Sequence, residues 1–513
     1  MGGITRRALF AGPAAGAAGA LLPAAGPAAA KPRTVGASYR AAYHFTVPGQ
    51  WKNDPQRPVW IDGRYHYYYL HNADYLAGEI GTAWRLATSR DLVSFTDRGI
   101  AVPKDTTPNG DVWSGSAVVD SGNTAGFGAG AVVVLATMSP QDGPADQAQY
   151  LYYSTDGGRT FAPYGTDPVL PNPGVRDFRD PKVIRDEERG RWVMTLAEHD
   201  KVGFYTSADL KSWTYTSGFV RGGIGVLECP DLFRIRAADG TVKWVLGVSA
   251  NGKGAGLPNT YAYWTGTFDG TAFTADAAAP QWLDHGWDWY GAVTFDRHAA
   301  DGTVDDSTRY AIGWLNNWDY AHITPTIDSD GFNGTDSIVR EVTLKRGGDG
   351  AYHLSSRPVA ALERYVSRTV RLGDLAVEGT RILGHRGTAY EVSCEITWEQ
   401  LAGAGLQLRR SPDGVRHIDA GFHRDYAFLN RGPSVSPDMT GRFQESRSPF
   451  DPARRTVRLR ILVDRTSVEM FVDDGRYTHS SAAFPYLVDT GLALFTMEGR
   501  AVFRDVVIRE FTV

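Results

Sequence analysis

Only two cysteines, Cys229 and Cys394, occur in 513 residues. A pair so far apart makes no disulfide framework and has no zinc-ligand spacing. Cys229 reads as a small buried filler. The 12 histidines are scattered, and none clusters with carboxylates, so the sequence asks for no metal and no cofactor. A basic excess is missing as well. Lys and Arg number 53 against 58 Asp and Glu, for a formal net charge of −5, which excludes the electrostatic footprint of a nucleic-acid binder. Beyond residues 1–30 no apolar run is long enough to span a bilayer, so stable membrane insertion is not expected. Nothing in the sequence speaks to oligomeric state. Helical periodicity is almost absent too, which leaves strands as the building material.

What is present fits that reading. The chain carries 14 Trp, 24 Tyr, 22 Phe and 58 Gly, the mixture that short strands and tight turns use. Flat rings also stack on sugar C–H faces, although core packing uses rings equally well. Segments such as Tyr65–Leu70, Ala131–Thr137 and Gln149–Ser154 read as strands bounded by turn residues. The fold class is all-β. At the N-terminus, Thr5-Arg6-Arg7-Ala8-Leu9-Phe10 resembles a twin-arginine export signal. It is followed by an Ala/Gly/Pro-rich stretch ending at Ala28-Ala29-Ala30. Residues 1–30 are therefore expected to be a signal peptide, and the mature protein to be extracellular.

A loose repeat organises the middle of the chain. Ala87-Thr88-Ser89-Arg90-Asp91-Leu92 recurs as Tyr205-Thr206-Ser207-Ala208-Asp209-Leu210, with related patterns at Ser154-Thr155-Asp156-Gly157 and at Asp269-Gly270. The copies recur roughly every 50–65 residues, the scale of one four-stranded propeller blade, although a sandwich of hairpins has a similar texture. The expected propeller occupies 37–352. Leu354–Leu362 reads as a connector with a short helix. Strand-like alternation over 365–513 then has the size of a β-sandwich.

Three acidic residues stand in unusual settings. Asp54 lies in Trp51-Lys52-Asn53-Asp54-Pro55, Asp180 in Phe178-Arg179-Asp180-Pro181, and Glu228 in Leu227-Glu228-Cys229-Pro230. Proline cannot continue a central ladder, so such residues belong near strand ends. In a propeller those ends converge on the axis, where carboxylates from different blades meet. Taken singly, each motif reads better as a plain turn. Taken together they supply what a retaining glycosidase needs: an ionised nucleophile, a protonated acid, and a third anion with an adjacent Arg to hold hydroxyls.

With these motifs in this order, the sequence resembles glycoside hydrolase family 32, the invertase, inulinase and levanase family. Trp113-Ser114-Gly115-Ser116, Asp288-Trp289-Tyr290 and Gly313-Trp314-Leu315-Asn316-Asn317-Trp318 match further segments. The resemblance implies a five-bladed β-propeller followed by a C-terminal β-sandwich. It implies Asp54 as nucleophile, Glu228 as general acid/base and Asp180 as transition-state stabiliser. Asn53, Ser114 and Arg179 match positions lining the terminal fructose pocket; Trp51, Trp113 and Trp314 fall within the matching segments, and Gln56, directly after the first of them, is a further candidate substrate contact. Departures occur at Gln56-Arg57-Pro58, where the family has Asn-Gly, at Leu70 in place of Gln, and at Arg85-Leu86 in place of Gly-His. These variants look more like levan-acting members. The expected activity is exo-acting hydrolysis of levan, a fructan polysaccharide, to fructose or levanbiose. Alternatives are intramolecular transfer giving a difructose dianhydride, an inactive fructan-binding propeller, and an inverting arabinan-type hydrolase.

Overall fold

The computed structural model describes residues 38–141, 143, 145–432 and 443–513. The export-signal segment expected at 1–30 lies outside the described residues. Five antiparallel sheets follow one another along the chain, then a sixth, larger one. The first strands of the five sheets are Gln50–Ile61, Gly115–Asp120, Phe178–Asp186, Leu227–Arg236 and Tyr290–His298. Each packs beside the first strand of the next sheet, and the fifth packs beside the first, which closes the ring of a five-bladed propeller. The closure is reinforced by Phe332–Asn333 of the blade 5 loop, which pairs in parallel with Gln50 and Trp51.

Period-two alternation builds the blades. In Arg64–Asn72, Tyr67 and Tyr69 pack toward blade 5 with Val293, Phe295 and Ile312. Tyr68 and Leu70 face the opposite way, into a layer with Trp84, Val102 and Val132. Both faces are buried, so the strand is aromatic throughout rather than half polar.

The repeat found in the sequence marks one recurring turn, after the third strand of each of blades 1 to 4. In blade 1 the Ser89 hydroxyl accepts the Leu92 amide at 2.7 Å, and Asp91 accepts those of Val93 and Ser94 at 3.1 Å. Ser207 and Asp209 repeat this in blade 3, with Leu92 and Leu210 both at positive φ, 65° and 64°. Ser154 with Asp156 serves blade 2, and Asp269 serves blade 4. Short oxygen-bearing side chains here satisfy amides that the ladder has stopped using.

The expected connector at Leu354–Leu362 is half strand. Tyr352–Pro358 forms the outer strand of blade 5, paired along its length with Arg340–Arg346, and only Ala360–Tyr365 is helical, as a 3₁₀ turn. Pairing with Arg340–Arg346 holds it in the sheet, and Pro358, lacking an N–H, ends it. The C-terminal sandwich is laced by two 21-residue strands, Val366–Arg386 and Gly491–Phe511. The first half of Gly491–Phe511 pairs with Gly403–Arg410 and the second half with Tyr390–Trp398, so one strand serves both layers. Buried charge joins the two units. Arg340 of blade 5 pairs with Asp284 of the propeller at 2.8 Å and with Glu469 of the sandwich at 2.5 Å. No helix among the described residues is long and apolar enough to cross a membrane.

Candidate active site

Each of the three carboxylate motifs sits on a first strand, at a break in its ladder. Pairing skips between Lys52 and Pro55 around Asp54, and between Glu228 and Asp231 around Cys229-Pro230. In blade 3 it skips between Lys182 and Arg179 around Asp180. Proline supplies the physical reason, because the missing N–H interrupts pairing and the extra residue bulges, re-aiming its neighbour's side chain. Asp180 and Cys229 pay for this with positive φ, 63° and 46°, a conformation uncommon for non-glycine residues. All three bulges lie near the N-terminal ends of their strands, on one face of the propeller.

The bulges bring the three acids together. Ser114 donates to Asp54 Oδ2 at 2.7 Å. Cys229 Sγ stands 4.0 Å from that same oxygen and 3.7 Å from Asp180 Oδ2, which also accepts the Cys229 amide at 3.0 Å. Arg179 Nε donates to Glu228 Oε1 at 3.2 Å and lies 4.0 Å from Asp180 Oδ2. Cys229 is buried, as expected of a small filler, and its Sγ stands between two of the carboxylates. Cys229 and Arg179 thus link the three acids into one buried centre, which includes the pair of carboxyl groups that acid–base work on one glycosidic bond uses.

The other expected site residues support this centre. Gln56 accepts the Gly115 amide at 2.8 Å and donates toward the Asp54 carbonyl at 3.2 Å, so it ties blade 1 to blade 2 beside Ser114. Asn53 Oδ1 accepts the Trp51 indole N–H at 3.0 Å. Trp113 donates its indole N–H to Asp111 at 3.1 Å. Trp314 is fully buried and meets Trp51 edge-on, so it shapes the wall from behind. Leu70 and Leu86, the positions departing from the family pattern, are buried in the apolar layer around Trp84 and Val112. Arg85 turns outward to Asp97, at 2.8 and 2.7 Å.

Sequence reasoning left out several members. The Tyr290 hydroxyl donates to Glu228 Oε2 in a short hydrogen bond. Tyr290 opens the first strand of blade 5, and the Asp288-Trp289-Tyr290 match was its only signal. Arg179 is held by Asp177 at 2.6 Å, which in turn accepts His199 at 2.9 Å. Thr137 fixes the Asp180 amide at 2.9 Å. Arg57 straps the ring, donating to the Gly115 carbonyl at 2.7 Å and to the Pro230 carbonyl. Nothing in residue order alone distinguishes Asp177, His199 or Thr137 from ordinary strand and turn residues. Burial lowers Lys52, although the facing Asp336 pulls it back up. Burial also lowers His71 and His322 beside the site to about 4, so both rings are neutral at neutral pH.

Comparison with known proteins places the chain. Residues 44–358 match the profile "Glycosyl hydrolases family 32 N-terminal domain", and 360–510 match "Glycosyl hydrolases family 32 C terminal". The chain is 51% identical to a levanbiose-producing levanase of Bacillus subtilis over 475 residues, covering 92% of this chain and 91% of that one. It is 51% identical to one of Geobacillus stearothermophilus over 400 residues, covering 78% of this chain and 100% of that one. Among solved structures, an exo-inulinase from Aspergillus awamori superposes with a TM-score of 0.81 at 27% identity, over 93% of this chain and 99% of that one.

Proposed function

The chain belongs to glycosyl hydrolase family 32, and from that premise we propose that it is an exported, retaining levanase that works from the chain end and releases levanbiose. The observation carrying this reading is the joint one. An intact three-carboxylate centre stands in a chain 51% identical, over 92% of its length, to a levanase named for that product. Export is supported by the twin-arginine-type segment Thr5–Phe10.

In the proposed mechanism Asp54 attacks the anomeric carbon of the fructosyl unit. The Ser114 hydroxyl fixes one carboxylate oxygen and so aims the attack. Glu228 delivers its proton to the departing glycosidic oxygen, and the bond breaks as the Asp54–sugar bond forms. Glu228, now ionised, takes a proton from water. The hydroxide equivalent displaces Asp54 and restores the original anomeric configuration. Arg179 and Tyr290 donate to the two Glu228 oxygens and hold the carboxyl group in place between these steps. Asp180, anchored by the Cys229 amide, adds negative charge beside a transition state that turns cationic.

Product analysis on levan and inulin, with the purified mature protein, tests the reading. The expected result is levanbiose from levan and little product from inulin, with the anomeric configuration retained in the first turnover. Inversion would remove Asp54 from the role of nucleophile. A non-reducing difructose dianhydride would make the enzyme a transferase. Asp54→Asn is expected to lose the covalent step and about four or more orders of magnitude in kcat.

A further inference from the structure

Release of a disaccharide demands something that release of a monosaccharide does not. Two sugar units must be held on the donor side of the scissile bond, so a second donor subsite must adjoin the first. We infer that this second site is the aromatic rim at the junction of blades 5 and 1, built from Tyr75, Trp318 and His322 around Trp51, and that it takes the terminal fructosyl unit of a β-2,6 chain. The inference rests on the levanbiose reading given above.

Ring topology places it. In a β-2,6-linked chain the second unit hangs from O6 of the first. In a fructofuranosyl ring the ring oxygen separates the anomeric carbon from the carbon bearing C6, while the two ring hydroxyls occupy the opposite edge. Blade 3 brings Arg179, Asp177 and Asp180 to the centre, donors and acceptors suited to a pair of vicinal hydroxyls. A sugar gripped there by its hydroxyl edge points O6 across the axis. In a ring of five blades the element facing blade 3 is the junction of blade 5 with blade 1.

The aromatic cluster sits at that junction. Trp51 stacks on His322 with centroids 4.7 Å apart and planes at 21°, and Tyr75 lies nearly parallel to His322 at 26°. The Tyr75 hydroxyl and His322 Nδ1 are 3.0 Å apart, which locks the loop after the second strand of blade 1 to the loop after the second strand of blade 5. Trp318 lies at 31° to Trp51. The cluster is continuous with the reacting centre, because the Trp51 indole N–H holds Asn53, the neighbour of Asp54. At its outer edge Leu76 and Ile323 are 47% and 53% exposed, large apolar groups at the surface of the same two loops. Half-buried parallel rings with a few fixed polar atoms suit the C–H faces of a sugar better than they suit water.

The test compares wild type with Tyr75→Ala and Trp318→Ala on levan and on an aryl β-fructofuranoside, which fills only the first site. Both variants are expected to lose about tenfold more kcat/KM on levan than on the aryl fructoside. The share of free fructose in their products should rise at the expense of levanbiose. Leu76→Ser, at an exposed position, is expected to shift the product ratio the same way with an unchanged melting temperature, which separates binding from folding. Equal losses on both substrates, or an unaltered levanbiose fraction in all three variants, would overturn the assignment. Wild type releasing only fructose from levan would overturn it together with the levanbiose reading, before any variant is compared.

Discussion

A β-carbon built on Gly291 would stand 2.9 Å from Oδ1 of Asp54. Gly291 follows Tyr290 at a bulge in the first strand of blade 5, and its φ of 56° is one that side chains resist. The missing side chain is therefore part of the site. It leaves room for a carboxylate that Ser114 holds from another direction. Gly291→Ala pushes Asp54 off that position, because the Ser114 hydrogen bond and the new methyl group cannot both be kept. The expected outcome is a loss of about a hundredfold in kcat on levan, from misplacement alone. Kinetics with a parallel thermal melt check this. A variant with near wild-type kcat would show that Asp54 tolerates the shift.

Protonation of the leaving group is the second point of attack. Glu228→Gln keeps the shape and one hydrogen-bonding oxygen for Arg179 but supplies no acid. On levan the leaving alcohol is poor, and kcat is expected to fall by about three orders of magnitude or more. On an aryl fructoside with an acidic leaving group the first step needs little proton donation, so the loss there is expected to be much smaller. Equal losses on both substrates would take the acid role from Glu228.

The blade turns and the acids were readable for different reasons. Turn chemistry is local, so Ser89-x-Asp91 and Ser207-x-Asp209 announced themselves and proved to be the same turn. The carboxylates were readable because proline beside an acid is a local signal that a ladder is interrupted; the structure shows the interruption as a bulge in each of the three first strands. Tyr290, Thr137 and Gly291 were not readable as site residues. Their contacts reach 62, 43 and about 237 residues along the chain, to Glu228, Asp180 and Asp54, and only blade packing brings them together. The connector at Leu354–Pro358 failed for a related reason. Its pairing partner fixes it as a strand, and a short stretch by itself carries too little pattern to say so.

Tyr290 acts on Glu228 through its hydroxyl alone, so Tyr290→Phe isolates that contact. A donor on a carboxylate favours the ionised form, and removing it favours the protonated one. Arg179 remains on the other oxygen, so the side chain stays oriented. The alkaline limb of the kcat/KM profile, where the acid loses its proton, is expected to move to higher pH. A profile that falls in height without moving would assign Tyr290 a packing role instead.

The joint between propeller and sandwich carries its own pH dependence. His44 is fully buried between Asp464 and Glu469, 2.9 Å from each. Burial by itself would lower its pKa, but hydrogen bonds and attraction from the two carboxylates outweigh that and raise it from 6.5 to about 9. Glu469 moves the other way. Burial pushes it up, while Arg340 and His44 together bring it down to about 2. Because the folded state binds the His44 proton more tightly than the unfolded chain, this stabilisation is complete below pH 6.5. It is lost progressively as pH rises through about 9. The amount at stake is on the order of 3 kcal/mol. The acid side behaves oppositely, since Glu469 contributes above its ordinary range and fails only as pH falls toward 2. Thermal melts are therefore expected to be steady near pH 6 and to decline toward pH 9. His44→Gln should melt lower at pH 6 and lose most of that decline, because the group that titrates is gone. A variant that keeps the wild-type slope between pH 6.5 and 9 would place the titrating group elsewhere.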